Sequence, residues 1–134
     1  MYLHSNGKYQ YSPYHYQYYY PYMLNWDNQP FSGDSRQGSA LMANSSITDM
    51  GQHTLADLKR AIEQKFRRNG FSDVVVTRSE VAGNKGGCRV SIIHLHKTGT
   101  QYWQVVMCSC PTINQARSML NETLAILRSI VFFD

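Results

Sequence analysis

Apolar residues recur with a helical period beyond the first third of the chain. One face of this stretch collects Leu55, Leu58, Ala61, Ile62 and Phe66. The spacing i, i+3, i+4, i+7 is typical of an amphipathic helix. Thr54, with Asp57 three residues later, matches an N-terminal capping pattern, and Asn69 followed by Gly70 matches a helix end. The pattern therefore predicts a helix over residues 53–70.

The next part of the chain has the pattern of β-strands. Residues 73–82 contain three consecutive valines and then alternate, and residues 88–96 and 101–110 are rich in β-branched and aromatic side chains. Residues 83–87 and 97–100 are interpreted as short loops. Short loops between strands favour an antiparallel meander.

A second helical stripe ends the chain. Pro111 stops the sheet, and Thr112 is positioned to cap a helix. Its apolar face would contain Ile113, Ala116, Met119, Leu120, Leu124, Leu127, Ile130 and Val131. The predicted fold class is therefore α+β in the order α-β-β-β-α, a three-stranded antiparallel meander with two helices on one face. Residues 49–134 are assigned to this small domain. The other face of the sheet is left for the preceding segment, a second copy, a nucleic acid or water.

Residues 1–48 have a different composition, and we call them the Tyr-rich segment. Nine of the ten tyrosines lie in the first 22 residues, where aliphatic side chains are almost absent. Such a segment buries too little apolar surface to offset an ordering cost of roughly 1–2 kcal/mol per residue. We therefore expect a low-complexity, disordered tail before the domain. Its alternation between Tyr14 and Tyr18 suits a strand if a partner edge is offered.

Charge separates the same two parts of the chain. The 134 residues have a formal net charge of +4, with −1 on residues 1–50 and +5 on residues 51–134. Clustered positive charge is the minimum footprint of phosphate binding. The candidate RNA-contacting residues are Arg60, Arg67, Arg68, Lys85 and Lys97. The alternative, a solvated face that keeps the domain soluble, is the more common role of such charges.

The predicted element order resembles that of double-stranded-RNA-binding domains. Those domains read duplex shape and 2′-hydroxyl groups across the minor groove. They carry a lysine cluster at the start of the last helix, whereas residues 112–117 of this chain contain only Arg117 as a basic residue. The resemblance implies RNA as an alternative partner.

Cysteines and histidines lie at opposite ends of the second and third predicted strands. A three-residue loop would place Cys88 opposite Cys110, Val90 opposite Cys108, His94 opposite Gln104 and His96 opposite Tyr102. A two- or four-residue loop would place Cys88 opposite Ser109 and His94 opposite Trp103. Cys88 and His94 are about 20 Å apart along a strand, too far to share a zinc ion. We predict neither a metal site nor a cofactor, and we interpret His94 and His96 as polar positions on a half-exposed strand. A Cys88–Cys110 disulfide fits one register, but reduced thiols and a cytoplasmic location are expected because no signal segment is seen.

No pattern of nucleophile, base and acid emerges, and the glycine-rich residues 83–87 lack the ending of a phosphate-binding P-loop. No apolar run approaches the roughly 18–20 residues that span a bilayer. We therefore predict a non-enzymatic interaction or assembly protein that binds itself, as a homo-oligomer, or another protein, with RNA binding as the alternative. Tyrosine rings adhere to many surfaces. The residues predicted to mediate self-association are Tyr14, Tyr16, Tyr18, Tyr19, Tyr20, Phe132 and Phe133.

Overall fold

A computed structural model describes residues 2–3, 9–10, 21–23, 25–30, 40–48, 53–99 and 101–133. The two helices are α1 (Leu55–Arg68) and α2 (Ile113–Arg128). The strands are β1 (Tyr2–Leu3), β2 (Tyr9–Gln10), β3 (Pro21–Met23), β4 (Asn25–Pro30), β5 (Ala40–Thr48), β6 (Ser72–Val76), β7 (Glu80–Lys85), β8 (Cys88–Thr98), β9 (Gln101–Ser109) and β10 (Val131–Phe133). The protein is an α+β structure.

Six of the strands form one antiparallel sheet in the order β4-β5-β9-β8-β7-β6. The four strands from β6 to β9 follow one another as a meander, and β5 and β4 extend the sheet beyond β9. The other described strands form two small pairs, β1 with β2 and β3 with β10. The prediction of three strands was therefore too small.

One missing strand was hidden in residues 73–82, which were predicted to be a single strand. They contain the end of β6, a turn and the start of β7. Lys59 Nζ stabilises this turn by donating hydrogen bonds to the carbonyls of Thr77, at 3.0 Å, and Arg78, at 3.1 Å. The turn contains no glycine or proline, the residues that most strongly mark a turn, and it was therefore not predicted.

The predicted loop over residues 83–87 is mostly strand. Gly83 lies within β7, and only Gly86 and Gly87 form the turn, with φ values of 59° and 78°. A Cβ atom on Gly83 would lie 3.3 Å from ring carbons of both Phe66 and Phe71. Gly83 therefore marks a close approach between the sheet and an aromatic pair rather than a loop.

The strand β5 lies within the Tyr-rich segment and occupies the sheet between β4 and β9. Leu41, Ala43 and Ile47 are buried, and Ile47 packs in the core. The sheet thus extends into residues that were interpreted as a tail. Alternation of Leu41, Ala43, Ser45 and Ile47 suits one buried face, but small and polar members weaken its apolar signal. Tyr14, with the rest of residues 11–20, lies outside the described residues.

The two predicted helices are confirmed together with their N-terminal capping residues, but α2 ends at Arg128, so Ile130 and Val131, which were predicted for its apolar face, lie beyond it and Val131 begins β10. The Thr54 hydroxyl accepts a hydrogen bond from the Asp57 N–H, and the Asp57 carboxylate accepts one from the Thr54 N–H at 2.8 Å. Thr112 and Gln115 form the same reciprocal box at the start of α2. Each box satisfies N–H groups that lack partners within the helix.

Both helices bury their apolar faces against the same side of the sheet. Leu58, Ile62 and Phe66 of α1 share one core with Met119, Ile126 and Leu127 of α2 and with Val81, Val90, Ile92, Val106 and Cys108 of the sheet. Full burial of each large aliphatic side chain contributes about 1.5–3 kcal/mol. On the opposite face Ser46, Ala82, Ser91 and Val105 are buried as well.

Candidate functional site

Three of the five predicted RNA-contacting residues form ion pairs within the chain. Arg60 donates to Asp57 at 2.6 Å, and Arg67 donates to Glu63 at 3.0 Å. Lys85 contacts Glu122 at 2.5 Å and lies over the ring of Phe71. The carboxylates of Asp57, Glu63 and Glu122 therefore neutralise positive charge that would otherwise attract the phosphate groups of RNA.

The same five residues do not share one surface. Arg60, Arg67 and Arg68 lie on α1, whereas Lys85 and Lys97 lie at opposite ends of the sheet. Lys85 pairs with Cys88 at the start of β8, and Lys97 is near the end of that strand. Lys97 is nine positions after Cys88 along the extended strand, a distance of about 30 Å. The structure therefore does not assemble these side chains into a single RNA-binding face.

The residues predicted for self-association are only partly described. Tyr14, Tyr16, Tyr18, Tyr19 and Tyr20 lie outside the described residues. Phe132 is buried and stacks on His53, with the ring centroids 4.2 Å apart. Phe133 pairs with Pro21 at the end of β10, and its side chain lies outside the described part. Phe132 therefore belongs to the core of a single chain.

The cysteines contradict the expectation of reduced thiols, because Cys88 and Cys110 form a disulfide. Val90 is opposite Cys108, so the register is the one predicted for a three-residue loop over this part of the hairpin. Cys108 is free and buried, and burial raises the pKa of its thiol to about 12. The thiolate, which is the nucleophilic form, is therefore disfavoured at Cys108. The cytoplasmic location is not tested by the structure and stays a prediction, while structural disulfides are typical of oxidising compartments.

The two histidines differ in how well the sequence predicted them. His94 is opposite Gln104, as in the register of a three-residue loop, but the register shifts by one residue before His96, which is opposite Trp103 rather than Tyr102. The shift is a bulge that absorbs the residue between the two histidines. Among the described residues no group of three or more His, Cys, Asp or Glu side chains is arranged to hold a metal ion.

The edge of the sheet formed by β6 is open to solvent. Val75 and Val76 are 43% and 40% exposed, unusually accessible for large apolar residues in a strand. The Thr77 N–H donates to the Glu80 carbonyl of β7, and Val76 is opposite Val81. The backbone groups of successive residues in an antiparallel pair point alternately toward and away from the neighbouring strand. The N–H and C=O of Val75 therefore bond to β7, and those of Val76 point to the open edge.

A pocket of about 310 Å³ lies where the start of α1, the β6–β7 turn and the β8–β9 hairpin meet. It is lined by Leu55, Arg78, Ser79, His94, Lys97, Tyr102 and Trp103. Lys97 Nζ lies 5.3 Å from the centroid of the Tyr102 ring, a cation–π contact. None of these seven lining residues is acidic. The pocket combines positive charge with an apolar and aromatic wall.

His94 is the buried polar residue of this pocket, with 9% of its surface exposed. Its Nδ1 lies 3.0 Å from Oε1 of Gln104, and Gln104 Nε2 in turn donates to the Ser45 hydroxyl. An amide oxygen only accepts, so Nδ1 carries the proton. Burial, together with the charge of Lys59, lowers the pKa of His94 to about 4. The ring is therefore neutral at pH 7, with a lone pair on Nε2.

The Nε2 atom of His94 is buried without a hydrogen-bond partner among the described residues. The interpretation of His94 as a half-exposed polar position was therefore wrong. The signal available in the sequence was the alternative register in which His94 faces Gln104, because two polar residues facing each other on a sheet covered by helices must satisfy one another. The sequence contained no comparable signal for Arg78 and Trp103. Arg78 lies on the β6–β7 turn and Trp103 follows the register shift between β8 and β9, and neither feature was predicted.

The comparisons with known proteins found no counterpart for this arrangement: no protein-family model, curated protein or solved structure matches the chain. Within the described residues, neither helix has the length and apolar character needed to cross a membrane.

Proposed function

We propose that this protein is a non-enzymatic assembly protein that pairs with a second copy of itself through the open edge of β6. The observation that carries the proposal is the exposure of Val75 and Val76 on the outermost described strand at that edge. An edge strand offers unpaired backbone groups, and exposed β-branched residues make it a template for another strand.

The sequence of β6 lacks two devices that usually protect an edge. It contains neither proline nor lysine. A bulge does interrupt its pairing with β7 between Ser72 and Val75, next to Asp73 with its positive φ of 49°. The usable edge is therefore residues 74–76, a short segment that supports weak, concentration-dependent association.

A second copy fits this edge in one simple register. A two-fold axis perpendicular to the sheet makes the pairing antiparallel and keeps the same faces together. Val75 then meets Val75 of the second copy, while Val74 and Val76 exchange backbone hydrogen bonds across the axis. Cross-strand pairs of β-branched residues contribute about 0.2–1 kcal/mol each. Further contacts of the Tyr-rich segment would add avidity.

Sedimentation velocity over a range of concentrations tests the proposal. Val76→Pro removes an N–H that points outward, so it spares the hydrogen bonds between β6 and β7. Val76→Thr is the matched control, because it keeps both the N–H and the β-branched shape. We expect the wild type and Val76→Thr to associate as concentration rises, and Val76→Pro to associate at least tenfold more weakly. Equal association of all three proteins, or a wild type that stays monomeric, would contradict the proposal.

RNA binding through Arg60, Arg67, Arg68, Lys85 and Lys97 receives less support than self-association. Three of these residues are ion-paired, and the set is dispersed over α1 and both ends of the sheet. RNA binding would be favoured over this conclusion if the wild type bound duplex RNA with an affinity that falls as salt rises, and an Arg67→Glu/Arg68→Glu variant lost that affinity.

A further inference from the structure

We propose that the pocket around His94 binds a nucleoside monophosphate group, with the phosphate at its cationic rim and the nucleoside against its aromatic wall. The proposal is independent of the β6 edge. It rests on three features of the lining residues: an unpartnered buried acceptor, two cations from separate elements, and two aromatic side chains.

The first feature is the Nε2 atom of His94, which has almost no exposed surface in the free protein, so a ligand must displace neighbouring side chains of the lining to reach it. A buried polar atom without a hydrogen-bond partner raises the free energy of the folded protein. A ligand that donates a hydrogen bond to Nε2 removes this cost and binds more tightly for that reason. Gln104 holds the proton on Nδ1, and the neutral ring presents only a lone pair at Nε2. The ligand group that reaches it must therefore be an N–H or O–H donor. The phosphate oxygens of a monoester dianion carry no such proton, so the donor must come from the nucleoside part, which inorganic phosphate lacks together with the base that would contact the aromatic wall.

The second feature is the pair of cations, Arg78 and Lys97. The turn that carries Arg78 is anchored on both sides: Lys59 Nζ bonds to the Thr77 and Arg78 carbonyls, and the His94 N–H donates to the Ser79 carbonyl at 2.8 Å. The backbone at Arg78 is thereby held beside His94. Two cations without an acidic neighbour in the lining match the double charge of a phosphate monoester.

The third feature is the apolar wall formed by Leu55, Tyr102 and Trp103. Aromatic side chains stack on nucleic acid bases of any type, because every base has a π-face. The volume of about 310 Å³ is at the lower end for small-molecule pockets and limits the occupant to about one nucleotide.

A nucleoside monophosphate combines what these three features require. It has a dianionic phosphate, a planar base, and ribose hydroxyl or base amino groups that donate hydrogen bonds. An aromatic carboxylate lacks the second negative charge, and a nucleoside lacks both. The group could come from a free mononucleotide or from the end of a single-stranded RNA, which present the same chemistry.

Isothermal titration calorimetry of the full chain tests the proposal with AMP, adenosine, inorganic phosphate and a short 5′-phosphorylated oligoadenylate. We expect AMP or the oligoadenylate to bind below about 1 mM. Binding of AMP identifies the free nucleotide as sufficient, and binding of the oligoadenylate alone identifies the RNA end. Adenosine and phosphate should bind at least tenfold more weakly. The proposal fails if neither nucleotide binds, or if phosphate binds as tightly as AMP.

Variants of the rim assign the binding to this pocket. Arg78→Gln and Lys97→Gln change exposed side chains and should each weaken nucleotide binding about tenfold. Arg67→Gln is the matched control, because Arg67 lies on α1 about 18 Å beyond Leu55 along the helix. Equal loss in all three variants would show a general charge effect and overturn the proposal, as would unchanged binding in Arg78→Gln and Lys97→Gln.

The ¹⁵N resonances of the His94 ring provide a readout that charge alone would not move. In the free protein, Nε2 should have the shift of an unprotonated ring nitrogen. A donor from the ligand should move that resonance upfield toward hydrogen-bonded values while Nδ1 keeps its proton. A ring that does not respond to saturating nucleotide would place the ligand elsewhere and contradict the proposed site.

Discussion

The Cys88–Cys110 disulfide should supply a substantial part of the stability of this fold. It joins the start of β8 to the residue after β9, and the two cysteines are 22 positions apart in sequence. Closing a loop of this length in the unfolded chain is worth about 3 kcal/mol in the loop-entropy description. A typical domain is stable by only about 5–15 kcal/mol, so the bond is a large fraction of the total.

Reduction of the wild type is the cleanest perturbation, because it leaves every side chain in place. Urea denaturation followed by circular dichroism, with and without a thiol reductant, measures the free energy of unfolding. With a denaturant slope of about 1.5 kcal/mol/M, the midpoint should fall by about 2 M on reduction. A Cys88→Ala/Cys110→Ala variant is the control, and its midpoint should not respond to the reductant.

A thiol count checks the premise of this experiment. The unfolded chain should expose one reactive thiol, from Cys108, before reduction and three thiols after it. Three thiols in the unreduced protein would refute the disulfide, and an unchanged urea midpoint would refute its contribution to stability.

Two further predictions concern His94 and Gly83. The pKa of His94 is lowered from 6.5 to about 4 in the folded protein, so the unfolded state binds more protons between these pH values. The contribution of His94 to the free energy of unfolding should be complete above pH 6.5 and fall by up to about 3 kcal/mol as the pH drops to 4. Urea midpoints of the wild type and of His94→Gln, measured across this pH range, isolate the effect, and the same pH dependence in both proteins would refute it. Gly83→Ala should destabilise the fold by about 1–3 kcal/mol, because the new methyl group meets the Phe66 and Phe71 rings at 3.3 Å; an unchanged urea midpoint would show that the rings move aside freely.

The helices were predictable because their signals are local. The apolar spacing and the Thr54–Asp57 box lie within a few residues of each other, and each is satisfied inside α1 itself. The His94–Gln104 pairing belonged to one of the two hairpin registers that were considered, so the short connection narrowed the choice of partner without deciding it.

The features that the sequence did not predict depend on contacts between distant residues. The β6–β7 turn is held by Lys59 from α1, so the residues of the turn themselves do not indicate it. The strand β5 becomes a central strand only because β9 pairs with it, more than fifty residues later. The pocket combines α1, that unpredicted turn and the β8–β9 hairpin, so Arg78 and Trp103 could not be placed beside His94.

Amide hydrogen exchange of β6 at several protein concentrations would test the proposed assembly at a single backbone group. The Val76 N–H points to the open edge, whereas the Val75 N–H is bonded to β7 and serves as an internal reference. If the edge pairs with a second copy, exchange at Val76 should slow as concentration rises, while exchange at Val75 stays constant. Exchange at Val76 that is independent of concentration, in a sample that sedimentation shows to be associated, would contradict assembly through β6.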